Sequence, residues 1–179
     1  MKTADDGLNQ PWVRGAVLLA FGLVAVIWAL NYFSPEARVR RATARVVALV
    51  QKTGDESPVA LGVTANRFGD LLGVNATLEI DDWGVIVSQR SEIVQMFLQV
   101  RDTFKRVSLM EPKIATTVKK GGGVTAFVSA HYRFAPINDQ VIEGDGNATL
   151  QWGKNDEGWQ IQHAVLHPDP HQTLPGGWR

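Results

Sequence analysis

Gly121-Gly122-Gly123-Val124-Thr125-Ala126-Phe127-Val128-Ser129-Ala130-His131-Tyr132-Arg133-Phe134 is the stretch from which the fold is read. The glycines can supply the positive φ that a tight hairpin turn demands. Beyond them Val124, Ala126, Val128, Ala130, Tyr132 and Phe134 alternate with Thr125, Phe127, Ser129, His131 and Arg133. A period of two over so many residues predicts a long strand with one face buried. The same glycines after Lys119-Lys120 do not make a phosphate cradle, because no helix-opening Lys-Ser/Thr follows them.

Downstream, Pro136-Ile137-Asn138-Asp139 turns the chain, and Ile142, Gly144, Gly146, Ala148, Leu150 and Trp152 form one face of another long strand. Its glycines predict a bulge or a strong bend. Lys154-Asn155-Asp156-Glu157-Gly158 is a further turn, after which Trp159, Ile161, His163 and Val165 alternate with Gln160, Gln162 and Ala164. Residues 167–179, rich in Pro and Gly, read as an irregular tail. Upstream, residues 107–120 read as the partner strand of the hairpin, interrupted at Pro112.

The segments before the hairpin are helical. Ser34-Pro35-Glu36 and Ser57-Pro58 each set a capping hydroxyl before a proline. The second helix is expected to run to about Leu72, with Gly73 as its stop. A half-buried strand from Val74 to Asp81, a turn at Asp82-Trp83-Gly84 and a short strand at Val85-Ile86-Val87 follow. A third helix, capped by Ser88 or Ser91, carries Ile93, Phe97, Val100 and Phe104 on one face. Helices first and hairpin-linked strands afterwards predict an α+β domain, with a bent antiparallel sheet packed on about three helices.

Residues 15–30, GAVLLAFGLVAVIWAL, hold no polar side chain. Extended to Phe33, a helix there is about 28 Å long, near the thickness of the hydrocarbon core. Trp12, Trp28, Tyr32 and Arg14 flank it as interfacial residues do. A cleaved signal peptide would have a shorter apolar core and a nearby small-residue cleavage site. The expected organisation is therefore a tail at 1–12, a single transmembrane helix at 13–33, a basic stem at 34–52, a domain at 53–166 and a tail at 167–179. In the stem Arg38, Arg41 and Arg45 share one helical face. That face reads either as a contact for anionic headgroups or an acidic partner, or as a solvated surface.

From residue 53 onward there are eleven basic and fifteen acidic side chains, which argues against nucleic acid as the partner. With no cysteine, disulfides, thiolate catalysis and cysteine-held metals are excluded. Positive charge beside the anchor favours a cytoplasmic domain on the inner membrane of a bacterial cell.

Three landmarks carry a family resemblance: Ser88-Gln89-Arg90-Ser91-Glu92-Ile93 entering the third helix, the glycine hairpin before Val124, and Lys154-Asn155-Asp156-Glu157-Gly158-Trp159-Gln160-Ile161 entering the last strand. With the order of elements over residues 36–166, the chain resembles the nuclear transport factor two-like superfamily, also called SnoaL-like or cystatin-like. The resemblance implies a cone, formed by a strongly curved sheet wrapped around helices, often with a pocket at its wide end. Members include isomerases, dehydratases, cyclases, assembly factors and binding modules, so fold alone does not give function. Membrane-anchored members such as the assembly factor of type IV secretion hold this domain in the periplasm, against the charge-based topology.

Enzymes of this superfamily commonly use an Asp–His or Tyr–Asp pair inside the cone. The resemblance makes His163, Trp159 and Tyr132 the pocket candidates, with His163 expected on the face of Trp159 and Ile161. Strand parity sets His131 and Asp145, its conceivable partners, on the opposite faces of their strands. No catalytic set emerges. His163, His167 and His171 are spaced by four, but Pro168 and Pro170 forbid the helix that would align them, and no metal or cofactor is assigned. Trp178 in the tail is a candidate for insertion into a partner. Taken together, the expected function is a non-enzymatic, membrane-anchored scaffold or accessory subunit of a larger membrane protein complex, with other subunits and homo-oligomers as partners. A cone-pocket enzyme or small-ligand binder is the alternative.

Overall fold

The computed structural model describes residues 22–24, 26, 28, 31–81, 84–137 and 140–168. Three helices, α1 (Pro35–Val50), α2 (Pro58–Gly69) and α3 (Arg90–Thr103), pack on a six-stranded sheet. The strands are β1 (Leu72–Ile80), β2 (Gly84–Ser88), β3 (Phe104–Val118), β4 (Val124–Pro136), β5 (Ile142–Asn155) and β6 (Gly158–Pro168). Both cap-plus-proline signals act as read. Ser34 Oγ accepts from the Ala37 amide and Ser57 Oγ from the Ala60 amide, each at 3.2 Å, with Pro35 and Pro58 opening the helices. The third helix differs: its N-cap is Gln89, whose side chain makes no capping bond.

The spatial order is β2-β1-β6-β5-β4-β3. The expectation of a wholly antiparallel sheet is corrected at one seam, where β1 runs parallel to β6. The β1–β2 hairpin is formed before the long meander, and the last strand, β6, lies along its free side. The Ile161 amide donates to Leu71 O at 2.8 Å and the Asp81 amide to Leu166 O at 2.9 Å across that seam. Two boundaries also shift. The second helix ends at Gly69, so Leu72 already belongs to β1, and His167 and Pro168 continue β6 rather than starting a tail. The expected turns at 82–84 and 136–139 fall partly outside the described residues.

The glycine hairpin forms as read: Gly121 (φ 112°) and Gly122 (φ 94°) turn β3 into β4, closed by the Lys119 amide donating to Gly123 O at 2.7 Å. Pro112 stays within β3 because it sits at a register shift between Met110 and Lys113, where no ladder bond is required of it. The neighbouring Glu111 takes up the bulge at φ 48°.

One face of the sheet meets the helices. Val124, Ala126 and Val128 of β4, Leu150 and Trp152 of β5, and Leu72, Ala76 and Leu78 of β1 are buried there with Val39, Val46 and Val47 of α1. Phe68 of α2 stacks on Phe97 of α3 at 4.3 Å between ring centres. Each fully buried side chain of this kind contributes about 1.5–3 kcal/mol from removal of apolar surface, which holds the helices to the sheet.

Among the described residues no helix is long and apolar enough to cross a membrane. The expected anchor at 13–33 is described only at 22–24, 26, 28 and 31–33, all helical. The tail at 1–12, His171 and Trp178 lie outside the described residues.

Candidate functional site

Strand register decides which side chains face the helices and which face outward. In β6 the register shifts: Trp152 pairs with Ile161, but Gln151 pairs with His163, leaving Gln162 as an extra residue. The bulge reverses parity beyond it. Ile161 is buried in the core, whereas His163 stands opposite Gln151 and Thr77, on the face turned away from the helices. The expectation that His163 shares the face of Trp159 and Ile161 therefore does not hold, because one inserted residue flips every side chain after it.

On that outer face His163 Nδ1 lies 2.6 Å from Thr77 Oγ1, and Nε2 lies 3.5 Å from Glu79 Oε2. His167, two positions along the same face, pairs with Asp81 at 2.8 Å and Thr149 at 3.2 Å. His131 and Asp145, expected on outward-facing positions, stand directly opposite each other there and pair at 3.1 Å. Each of these histidines is held by a carboxylate of its own, and among the described residues no three such groups gather to hold a metal. A groove of about 490 Å3 runs over this face past Lys113, Phe127, Ser129, Asn147, Thr149 and His167.

The other pocket candidates separate. Trp159 is half-buried and packs against the core. Tyr132 is half-buried and stacks on Phe134 with ring centres 5.1 Å apart. It leans over Gly146, where a Cβ would lie 3.1 Å from its ring. On the inner face Trp152, 2% exposed, and the Phe68–Phe97 stack belong to the core. Two buried polar atoms of the interior, Trp152 Nε1 and Thr43 Oγ1, have no hydrogen-bond partner among the described residues.

The stem arginines take different positions. Arg41 donates to Tyr32 O at 2.8 Å and lies 4.0 Å above the Tyr32 ring, while Arg38 lies 5.7 Å over Phe33. Trp28 stacks on Tyr32 at 5.2 Å, so cationic and aromatic groups interleave where the apolar run meets the domain. Arg45 is exposed on the same helix.

A charged cluster not anticipated from the sequence lies under this stem. Arg101 of α3, 3% exposed, forms a two-pronged ion pair with Glu56 and donates to Leu49 O at 2.6 Å and Gln51 O at 3.2 Å. Lys52, also buried, donates its ammonium to Arg101 O at 2.5 Å and Phe104 O at 2.8 Å. Arg101 thus closes the carbonyl end of α1, and Lys52, two residues beyond α1, closes that of α3, where the helix dipole is negative. The signal was available: Arg101 falls at i+8 from Ile93 and i+4 from Phe97, a charge inside an apolar stripe. Arg101 hydrogen bonds hold the Glu56 carboxyl below its ordinary value, against the opposing effect of burial, and the charges of Arg101 and Lys52 add to the lowering.

No family model matches the chain, and no curated protein matches its sequence. Solved structures do match. A nuclear transport factor 2-like superfamily protein from Salmonella enterica aligns over 79% of this chain and 95% of its own, with TM-score 0.59 and 16% identity. An NTF2-like protein with a cystatin-like fold from Novosphingobium aromaticivorans covers 93% of this chain and 94% of its own, with TM-score 0.52 and 10% identity. A Mycobacterium tuberculosis protein of unknown function covers 82% and 75%, with TM-score 0.53 and 16% identity. At such identities the likeness speaks of architecture alone. Three helices on one face of a mixed sheet, matched along most of the length of these structures, give the chain the nuclear transport factor 2-like, cystatin-like fold.

Proposed function

We propose that the chain is a membrane-tethered, non-catalytic module that scaffolds or accompanies a larger membrane protein complex. The observation that carries this reading is the outward turn of His163, which removes the natural acid–base group from the cone and sets it in a Thr77–Glu79 cradle. Trp152 and the Phe68–Phe97 stack belong to the packed core between helices and sheet, which supports the same reading. Support for the tether comes from the apolar run at 15–30 and from the aromatic–arginine junction built by Trp28, Tyr32, Phe33, Arg38 and Arg41. Such a junction suits the headgroup layer, where amphipathic rings and guanidinium groups both find partners.

The test is extraction of the native protein in mild detergent, followed by particle mass and identification of every chain in it. A particle of fixed composition containing other polypeptides is the expected result. Particles containing this chain alone would overturn the scaffold reading.

A second reading, a small-ligand binder using the cone interior, is favoured by the unpartnered Trp152 Nε1 and Thr43 Oγ1. It predicts that a bound small molecule quenches or shifts tryptophan emission, and that Thr43→Val abolishes this response.

A further inference from the structure

Where β3 leaves α3, the sign of the surface charge reverses. From residue 53 onward the chain has fifteen acidic side chains against eleven basic ones. Yet a cavity of about 350 Å3 there is lined by Lys105, Arg106 and Arg133 and, among the described residues, by no carboxylate. Local geometry explains the cluster. Val107 is buried in the core, so Arg106 and Ser108 on either side of it turn outward, and Ser108 stands opposite Arg133 of β4. The register shift between Phe104 and Arg106 leaves Lys105 as an extra residue, which lets two consecutive cations line one cavity. Thr53 and Gly54, just beyond α1, supply a further wall. That wall is fixed on both sides. Lys52 and Val107 exchange amide hydrogen bonds at 2.8 and 2.9 Å, and Glu56 is held in the fork of Arg101. Gly54 has open space where a side chain would stand, so its main chain is accessible to a ligand.

We propose that this cavity binds a phosphate group. Lys105 and Arg106 are exposed and make no ion pair among the described residues. Arg133 has Glu143 at 3.6 Å, with both side chains more than half exposed, a contact that water and a competing anion easily replace. Two guanidinium groups, an ammonium and the hydroxyls of Thr53 and Ser108 offer more donors than the two oxygens of a carboxylate can use. A phosphate ester, with up to about two negative charges and three strong acceptor oxygens, answers them better. Its tetrahedral oxygens also suit the planar forks of Arg106 and Arg133. The volume is at the lower end of the roughly 300–1,000 Å3 usual for a small-molecule site. A long polyanion is disfavoured, because the acidic remainder of the domain repels it. A soluble phosphate ester and a lipid headgroup share the chemistry, and the two are separated by experiment. The inference stands apart from the scaffold reading and from the interior of the cone.

The test titrates inorganic pyrophosphate calorimetrically into the full chain, held in a maltoside detergent and a phosphate-free buffer. One molecule is expected to bind per chain. Lys105→Gln and Arg106→Gln, both at exposed positions outside the core, are each expected to weaken binding about tenfold. Glu143→Gln, which releases Arg133 from its carboxylate, is expected to tighten binding about threefold. Lys120→Gln, in the glycine hairpin beyond the far end of β3, is expected to leave it unchanged. In nanodiscs, an affinity unaffected by phosphatidylglycerol assigns the site to a soluble ligand, and competition by that lipid assigns it to a headgroup. Absence of binding, or equal weakening by Lys120→Gln and Arg106→Gln, would overturn the proposal.

Discussion

Arg101 shows how much one side chain decides at the residue scale. Its guanidinium binds Glu56 in a fork and also collects the carbonyls at the end of α1, so it joins three separate segments. Removing it leaves the partly exposed Glu56 and the carbonyl of Leu49 without their donor, and empties a buried site. Arg101→Ala is expected to cost about 3–5 kcal/mol, read as a lowered urea midpoint. Arg101→Lys is expected to recover little of that, because an ammonium cannot reproduce the planar fork. Glu56 supplies a pH signature. Its folded-state pKa is depressed, mainly by the Arg101 hydrogen bonds, below the ordinary 4.5. Its contribution is therefore fully present above the unfolded value and is lost as pH falls through the folded one. The stability difference between the native chain and Glu56→Gln should stay constant near neutrality and shrink below about pH 4.5. A difference unchanged down to pH 3 would mean that the pair contributes nothing.

Elements follow their local signals where those signals are strong. Ser34-Pro35 and Ser57-Pro58 start helices, and Gly121 and Gly122 make the hairpin, because capping and positive φ are properties of neighbouring residues. The start of α3 is the exception. Ser88 and Ser91 both offer hydroxyls, yet the chain enters the helix at Gln89, in extended conformation at φ −173° and ψ 146°. The Ser88 amide is instead turned toward Glu92 Oε2, at 3.4 Å. The cap position is thus geometrically suitable but occupied by a side chain ill suited to reach the free amides. Gln89→Asp is expected to stabilise the protein by about 0.5–1.5 kcal/mol, seen as a raised denaturation midpoint with unchanged slope. The end of the same helix shows the limit of periodicity. Phe104 continues the apolar spacing of Ile93 and Phe97, but it begins β3 and packs against Phe134 with ring centres 5.4 Å apart.

At the scale of the whole molecule, Trp152 and His163 contrast a side chain buried between sheet and helices with one on the outer face. Trp152→Ala should cost about 3–5 kcal/mol through the cavity it leaves. His163→Ala should cost less than about 1 kcal/mol, since only a half-exposed contact with Thr77 and Glu79 is lost. Equal losses in chemical denaturation would mean that His163 lies in the core after all. The sequence by itself determined the alternation of β4 and β5, the two capped helices, the glycine hairpin and the α+β class, because each rests on interactions within a few residues. It also made the apolar run at 15–30 and the outward parity of His131 and Asp145 legible. Only the tertiary structure decided that β1 lies parallel to β6, that Gln162 bulges and turns His163 outward, and that Arg101 caps α1 while Lys52 caps α3. Those outcomes depend on which segments distant in the chain come to lie side by side, and register between distant strands is set by packing rather than by any local pattern.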